Sequence, residues 1–144
     1  MSTKKILIIC TGNTCRSQMA EAWLKSLDSG LEVKSAGTFP GTGPNPYAVA
    51  VMDEIGLNIR GGRSDSVDLY LNERWDYVIT VCDRAKAACP GFPRDACEIL
   101  HIGFEDPADA SGSEAEILGV YRRVRDEIVQ EFSAFFRERL SPDS

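Results

Sequence analysis

The sequence predicts an α/β fold in a single domain, residues 1–144: a four-stranded parallel sheet with helices on both faces. The length of 144 residues suits one domain with a sizeable core. Short apolar runs of β character alternate with longer segments of helical periodicity, which is typical of strands joined by right-handed crossovers. The sequence has no internal repeat and no linker of biased composition, so we expect no further division.

The predicted strands are short segments rich in apolar and β-branched residues. The first and third are continuous apolar runs, as expected for parallel strands that are covered on both faces. The four segments are residues 4–10, 32–36, 77–81 and 98–102.

The predicted helices follow from apolar periodicity and from capping residues. Asn45 followed by Pro46 is a favourable helix start, and Gly56 is a plausible end for that helix. Ser113 and Glu116 have the spacing of a capping box. The predicted helical segments are residues 15–28, 45–55, 67–74 and 113–139.

The bulk composition is that of a globular protein, with 43% apolar and 26% charged residues. The net charge of −6 disfavours a nucleic-acid partner, because a phosphate backbone requires a basic face. No apolar run reaches the length of a membrane span. Residues 1–5, followed by a short β-like run, match the pattern of a signal peptide poorly. We therefore expect a cytoplasmic protein with no membrane partner.

The cysteine content favours nucleophilic or redox chemistry. An odd number of cysteines in a cytosolic chain argues against a static disulfide framework. Structural zinc sites usually combine a Cys pair separated by two to four residues with a second such pair or with histidines. Here only Cys10 and Cys15 have that spacing, and His101 is the only histidine, so a zinc site is disfavoured. The five cysteines are Cys10, Cys15, Cys82, Cys89 and Cys97.

The segment 10–17 is predicted to be a tight loop between the first strand and the first helix. Such a loop directs successive backbone N–H groups inward, and the helix start adds its positive dipole end, so together they form a cradle for an oxyanion. Cys10 lies at its base, where this field favours the thiolate nucleophile. Arg16 has a planar fork that suits two oxygens of a tetrahedral anion, and Ser17 is placed to hydrogen-bond the sulfur. Gly12 is expected to supply the positive φ or the close backbone approach that the curl requires.

A packing role for Cys10 beside a surface Arg16 is the simpler alternative. It explains neither the glycine and asparagine of the loop nor its position between a strand and a helix. Cys82 and Asp106 also fall at or just after the carboxyl ends of predicted strands, and in parallel sheets these ends meet at one ligand-binding edge. The oxyanion-binding backbone is predicted to comprise Thr11, Gly12, Asn13, Thr14, Cys15, Arg16 and Ser17.

The loop and several further motifs resemble the low-molecular-weight tyrosine phosphatase superfamily, and within it the thioredoxin-coupled arsenate reductases. The resemblance covers nearly the whole chain and implies the fold of that superfamily, with the first strand central in the sheet. Gln18-Met19 is more similar to the reductases, because the phosphatases favour proline after the serine. The residues that carry the resemblance are 10–21, 35–37, 81–83, 88–90, 101–108 and 121–127.

The resemblance implies a reaction in three steps. Cys10 attacks arsenate while Asp106, which precedes Pro107 as in the family's acid loop, protonates the departing oxygen. Cys82 then attacks Cys10, arsenite leaves and a disulfide forms. Cys89 attacks Cys82, and thioredoxin reduces the resulting Cys82–Cys89 bond.

Alternatives to this reaction stay open at the level of sequence. A phosphatase that hydrolyses phosphomonoesters requires only one essential cysteine, and a binding-only oxyanion sensor requires neither Asp106 nor Cys89. The electron donor is also open, because some family members use glutaredoxin or another low-molecular-weight thiol. Phosphate and sulfate are expected to compete with arsenate, and the chain is expected to be a monomer.

No cofactor is required, but the resemblance implies a potassium ion in some of these reductases. The matching positions here are Asn13, Glu21, Ser35 and Asp65. The alternative is that Asn13 and Ser35 only hydrogen-bond the loop while Glu21 is solvated.

Cys89 must move if residues 82–89 are helical in the reduced protein. Seven helical rises separate the two Cα atoms by roughly 10 Å, whereas a disulfide needs about 4.4–6.8 Å. Residues 83–88 are therefore expected to unwind on oxidation. We interpret Cys15 and His101 as structural residues, and we assign no role to Cys97.

Overall fold

The computed structural model describes residues 4–82 and 97–140. Within these residues four strands pair in parallel, in the order β2-β1-β3-β4. The predicted four-stranded parallel sheet is confirmed, and β1 lies inside it as expected. The strands are β1 (Lys5–Cys10), β2 (Glu32–Gly37), β3 (Tyr77–Thr80) and β4 (Glu98–His101).

The strand β1 forms the centre of the hydrophobic core. The four residues from Ile6 to Ile9 have no solvent exposure, so both faces of this strand are covered. In the parallel register Cys10 pairs with Gly37 of β2, and Ile9 pairs with Thr80 of β3. The carboxyl ends of the three strands therefore lie side by side, which positions the loops that follow them at one edge.

Three α-helices are present in the described part of the chain. Both α1 and α2 pack against α3, and the indole N–H of Trp23 in α1 donates to the Ser133 hydroxyl of α3 at 2.9 Å. The helices are α1 (Arg16–Leu27), α2 (Pro46–Asp53) and α3 (Glu114–Phe135), which continues into a π-helical turn (Phe136–Leu140).

The predicted helix ends are largely confirmed. The Asn45 side chain accepts hydrogen bonds from the first N–H groups of α2, and Gly56 has the positive φ of 81° that lets the chain turn after this helix. Ser113 and Glu116 form the reciprocal capping box.

The helix predicted for residues 67–74 is wrong in type and extent. Only a 3₁₀ turn, Val67–Tyr70, forms there. Tertiary contacts override the local propensity: the Trp75 indole is buried and donates to the Tyr70 carbonyl at 3.0 Å, and the Tyr70 hydroxyl donates to Asp65 at 2.9 Å. The backbone after Tyr70 is thereby directed towards β3.

Residues 83–89, for which we considered a helical turn that includes Cys89, lie outside the described residues. Among the helices of residues 4–82 and 97–140, none is long and apolar enough to cross a membrane.

Candidate active site

The loop between β1 and α1 has its carbonyl groups directed outward. Six consecutive carbonyls, from Cys10 to Cys15, accept hydrogen bonds from donors outside the curl. The backbone N–H donors are Thr38 to Cys10 (3.1 Å), Phe39 to Thr11 (2.9 Å), Gly41 to Gly12 (2.9 Å), Asn45 to Thr14 (2.7 Å) and Met19 to Cys15 (2.9 Å), and the Asn13 carbonyl accepts from the side chains of Gln18 (2.6 Å) and Ser64 (3.1 Å).

This arrangement turns the loop amides inward. In a peptide unit the C=O of one residue and the N–H of the next point in opposite directions. Because the carbonyls of residues 10–15 face outward, the N–H groups of residues 11–16 face the interior of the curl. The N–H of Asn13 donates to the Cys10 sulfur at 3.2 Å. The loop therefore has the backbone arrangement that an oxyanion cradle requires, with Cys10 at its base.

Asn13 holds the strained position of the loop. Its φ of 54° is left-handed, whereas the φ of Gly12 is not positive, so the positive φ that we expected at Gly12 belongs to the next residue. A Cβ added at Gly12 would make only ordinary contact with Thr14, at 3.5 Å. Asparagine tolerates the left-handed region, and here its buried amide donates to Ser17 and Ser35 at 2.8 Å each.

The close backbone approach occurs at Gly37, at the end of β2. A Cβ added there would lie 2.5 Å from the Thr11 carbonyl oxygen and 3.1 Å from the Asn13 nitrogen. The glycine lets residues 38–41 run along the outer side of the loop and donate to its carbonyls. We did not predict this supporting role for residues 38–45, although a glycine at a strand end followed by a glycine-rich loop was a usable signal.

The Cys10 thiol is buried at the base of the cradle. Its sulfur lies 3.0 Å from the Ser17 hydroxyl, so the predicted contact is present, and it also accepts from the Asn13 N–H. These contacts make Cys10 the candidate nucleophile of the site.

Arg16 and Asp106 are brought together at the edge of the cradle. One guanidinium nitrogen of Arg16 donates to the Phe104 carbonyl at 3.0 Å, and another lies 3.4 Å from an Asp106 oxygen. The Arg16 side chain is only 11% exposed, whereas that of Asp106 is 38% exposed. The second carboxylate oxygen of Asp106 accepts from the Ala108 N–H at 3.0 Å, and this bond fixes the acid in its short 3₁₀ turn.

Cys82 lies beside the cradle rather than inside it. The sheet pairing continues past β3, because the Val81 N–H donates to the Ile9 carbonyl at 2.9 Å. One residue further on, the buried Cys82 sulfur lies 3.3 Å from the Thr11 hydroxyl. A second thiol is thus held against the residue that follows Cys10.

The remaining cysteine and histidine positions agree with structural roles. Burial raises the pKa of the Cys15 thiol far above its usual range, and the neighbouring Cys10 adds to this effect, so Cys15 stays protonated. His101 Nδ1 lies 2.8 Å from the Thr80 hydroxyl and thereby links β4 to β3. Cys97 is half-buried directly before β4. Cys89 lies outside the described residues.

The four residues that matched a potassium site are also brought together. The Asn13 amide donates to Ser35 at 2.8 Å, Ser35 donates to Glu21 at 2.5 Å, and the Asp65 N–H donates to the Asn13 side-chain oxygen at 2.9 Å. Glu21, Ser35 and Asp65 line a cavity of about 590 Å³. The oxygen donors suit a hard cation, yet these polar groups also satisfy one another. The described residues contain no cluster of three or more His, Cys, Asp or Glu side chains fit for a metal ion.

The comparison with known families identifies the class of this protein. A family model described as low molecular weight phosphotyrosine protein phosphatase matches residues 5–143. The match spans nearly the whole chain, and the chain belongs to this family.

Within this family, the chain is similar to several proteins that are named arsenate reductases. An arsenate reductase of Halalkalibacterium halodurans is 46% identical over 136 residues, which cover 94% of this chain and 96% of the relative. An arsenate reductase of Bacillus subtilis (strain 168) is 43% identical over 136 residues, with the same coverage of each chain. A solved structure of an arsenate reductase in the phosphate binding state is 30% identical, with a TM-score of 0.75, and the match covers 94% of this chain and 98% of that one.

The Arg16–Asp106 pair generates a prediction about the first chemical step. Replacing Asp106 with asparagine preserves the shape of the side chain but removes the proton that a general acid would donate. We expect the first step to slow by about 10²–10⁴-fold, measured as single-turnover decay of substrate. The matched control, Asp109→Asn, changes a neighbouring exposed acid and should leave the rate unchanged. An unchanged rate in Asp106→Asn would show that Asp106 only shapes its turn.

Proposed function

We propose that this chain reduces arsenate to arsenite, with Cys10 as the nucleophile and Cys82 as the second thiol. One observation carries the proposal: a buried thiol, Cys82, contacts the Thr11 hydroxyl of the oxyanion loop at 3.3 Å. Hydrolysis of a phosphate ester needs no second thiol, whereas a two-electron reduction does. The relatives that match over nearly the whole chain, and that are named arsenate reductases, support the same conclusion.

In the first step the cradle binds arsenate and Cys10 attacks it. The inward N–H groups of residues 11–16 and the fork of Arg16 hold the anion's oxygens. The Cys10 thiolate forms a sulfur–arsenic bond, and Asp106 donates the proton with which one arsenate oxygen leaves as water. Arg16 is the last residue of the loop, and its guanidinium lies 3.4 Å from an Asp106 oxygen, so we place anion binding and proton donation at the same edge.

In the second step Cys82 attacks the sulfur of Cys10. The sulfur–arsenic bond breaks, its electron pair passes to arsenic, and arsenic(V) becomes arsenic(III) as the Cys10–Cys82 disulfide forms. The sheet register supports this step. Neighbouring parallel strands lie about 4.8 Å apart and rise about 3.3 Å per residue, so a one-residue offset separates the Cα atoms by roughly 6 Å. Disulfides need about 4.4–6.8 Å.

In the third step Cys89 attacks Cys82 and frees Cys10. The Cys82–Cys89 disulfide is then reduced by thioredoxin, the electron donor that we propose ahead of glutaredoxin or another thiol. This step rests on the family resemblance and on the number of thiols that a recycling reductase requires. We also propose that the chain acts as a monomer in the cytoplasm, where reduced thiols persist.

A phosphomonoesterase is the second candidate function. The cradle, Arg16 and Asp106 would serve a cysteinyl-phosphate intermediate equally well, and the family model is that of the phosphatases. Phosphate and sulfate have the shape and charge to compete for the same loop. The two candidates differ in their use of Cys82, which hydrolysis does not require.

A paired assay separates these functions. Arsenite production is measured with thioredoxin, thioredoxin reductase and NADPH, beside hydrolysis of an aryl phosphate under the same conditions. We expect sustained arsenite production that is abolished by Cys82→Ser, while any aryl-phosphate hydrolysis survives that substitution. Hydrolysis without arsenite production would establish the phosphatase, and anion binding without either reaction would establish a sensor.

The disulfide relay predicts a stalled single turnover. Cys89→Ser should release about one equivalent of arsenite and stop as a Cys10–Cys82 disulfide, because no thiol remains to free Cys10. Peptide mapping of the non-reduced protein identifies the bond. Cys97→Ser is the matched control, since it removes a thiol that has no place in the relay, and it should turn over repeatedly. Repeated thioredoxin-dependent turnover by Cys89→Ser would contradict the relay.

We further propose that a monovalent cation stabilises the network around Asn13. The oxygens of Asn13, Glu21, Ser35 and Asp65 would hold it, and the ion would steady the oxyanion loop without entering the reaction. Thermal midpoints in potassium and in a bulky organic cation at equal ionic strength test this. We expect a higher midpoint in potassium, and a loss of the difference in Glu21→Gln. Identical midpoints and identical KM values would refute the ion.

A further inference from the structure

The side chain of Gln18 is a buried polar group to which the reaction above assigns no role. It lies in the first turn of α1 and is 4% exposed. A glutamine amide carries two donor hydrogens and one acceptor oxygen, and burying it is costly unless these groups have partners. Its partners therefore indicate what the side chain does.

The partners of Gln18 belong to the oxyanion loop and to residues 62–63. Its Nε2 donates to the Asn13 carbonyl at 2.6 Å and reaches the Arg63 carbonyl at 3.4 Å. A Cβ added at Gly62 would overlap the Gln18 Oε1, so a side chain at 62 would displace the amide from this position. The backbone of residues 62–63 is thus shaped around the Gln18 amide.

The orientation of the Asn13 carbonyl determines the direction in which one N–H group of the cradle points. The Asn13–Thr14 peptide unit carries this carbonyl on its outer side and the Thr14 N–H on its inner side. If the unit flipped, an electronegative oxygen would replace a donor inside the cradle. The unit directly follows Asn13, whose left-handed φ of 54° is a costly conformation for a residue with a side chain.

We infer that Gln18 is a positioning residue that fixes the Asn13–Thr14 peptide in its anion-binding orientation. Ser64 also contacts the Asn13 carbonyl, at 3.1 Å, but its single hydroxyl proton is shared with the Gly43 carbonyl at 3.2 Å. Gln18 makes the shorter contact and its amide keeps a second hydrogen for Arg63. The inference deepens the proposed function, since it concerns the same cradle, but it applies to any tetrahedral oxyanion.

Two variants disturb the Gln18 amide in different ways, one by changing Gln18 itself and the other by changing its neighbour Gly62. Gln18→Met keeps the length of the side chain and removes its donors. Gly62→Ala leaves Gln18 intact but places a Cβ where its amide oxygen lies. The matched controls are Gln130→Met, on the exposed side of α3, and Gly61→Ala, where an added Cβ meets nothing within 4 Å.

The measurement is the Kd for inorganic phosphate by calorimetry on the full chain. We expect Gln18→Met and Gly62→Ala to weaken phosphate binding by about 5- to 30-fold, the change that corresponds to one lost buried hydrogen bond. Both controls should keep the original Kd. Because phosphate is the probe, the result stands whether or not arsenate is the substrate, and failure of arsenate reduction would not affect it.

A second readout separates positioning from general stability. Iodoacetamide labelling of Cys10, followed by peptide mapping, should keep its pH profile in Gln18→Met, while protection by phosphate is lost. The arsenate KM should rise with little change in kcat. An unchanged phosphate Kd in both variants would overturn the inference. So would losses of affinity that scale with the fall in thermal midpoint and appear equally in the controls.

Discussion

The site depends on one constraint: the carbonyl groups of residues 10–15 must accept hydrogen bonds from donors outside the curl. Each of them does, in the backbone of residues 38–45, in the first turn of α1, or in the side chains of Gln18 and Ser64. Only then can six consecutive amides face inward around a single point. The Cys10 sulfur lies at the base of this cradle and accepts the Asn13 N–H. The anion cradle and the position of the Cys10 sulfur at its base are therefore two results of one backbone arrangement.

Asn13 is the residue on which the separate supports converge. Its left-handed backbone is costly for a side chain, and buried hydrogen bonds hold it from several directions. Gln18 binds its carbonyl, Ser17 and Ser35 accept from its amide nitrogen, and the Asp65 N–H binds its amide oxygen. The sheet edge, α1 and the chain before β3 are thus connected through one buried side chain. Such a network lets the loop be preorganised before the anion arrives.

The sequence predicted the parallel sheet and the loop after β1 because these leave local signals, and the resemblance to the low-molecular-weight phosphatases supplied the central place of β1. Apolar runs, capping residues and the spacing of Cys10 to Arg16 can each be recognised within a few positions. The contacts that complete the site join residues distant in sequence. Gly37 is needed because the Thr11 carbonyl passes close to it. Gln18 is important because its amide donates to the Asn13 carbonyl and packs beside Gly62. The helix expected after Val67 failed for the same reason, since the burial of Trp75 outweighs local propensity.

A crystal structure of the Cys10→Ser variant with arsenate tests this account most directly, because the variant should bind the substrate without consuming it. The account predicts arsenate oxygens within hydrogen-bond distance of the N–H groups of residues 11–16 and of the Arg16 fork. It also predicts arsenic directly above the hydroxyl at position 10, and an unchanged outer set of carbonyl hydrogen bonds. Arsenate bound elsewhere, for instance in the cavity lined by Lys25, Lys34 and Arg63, would contradict it. A loop whose carbonyls turn inward around the anion would contradict it as well.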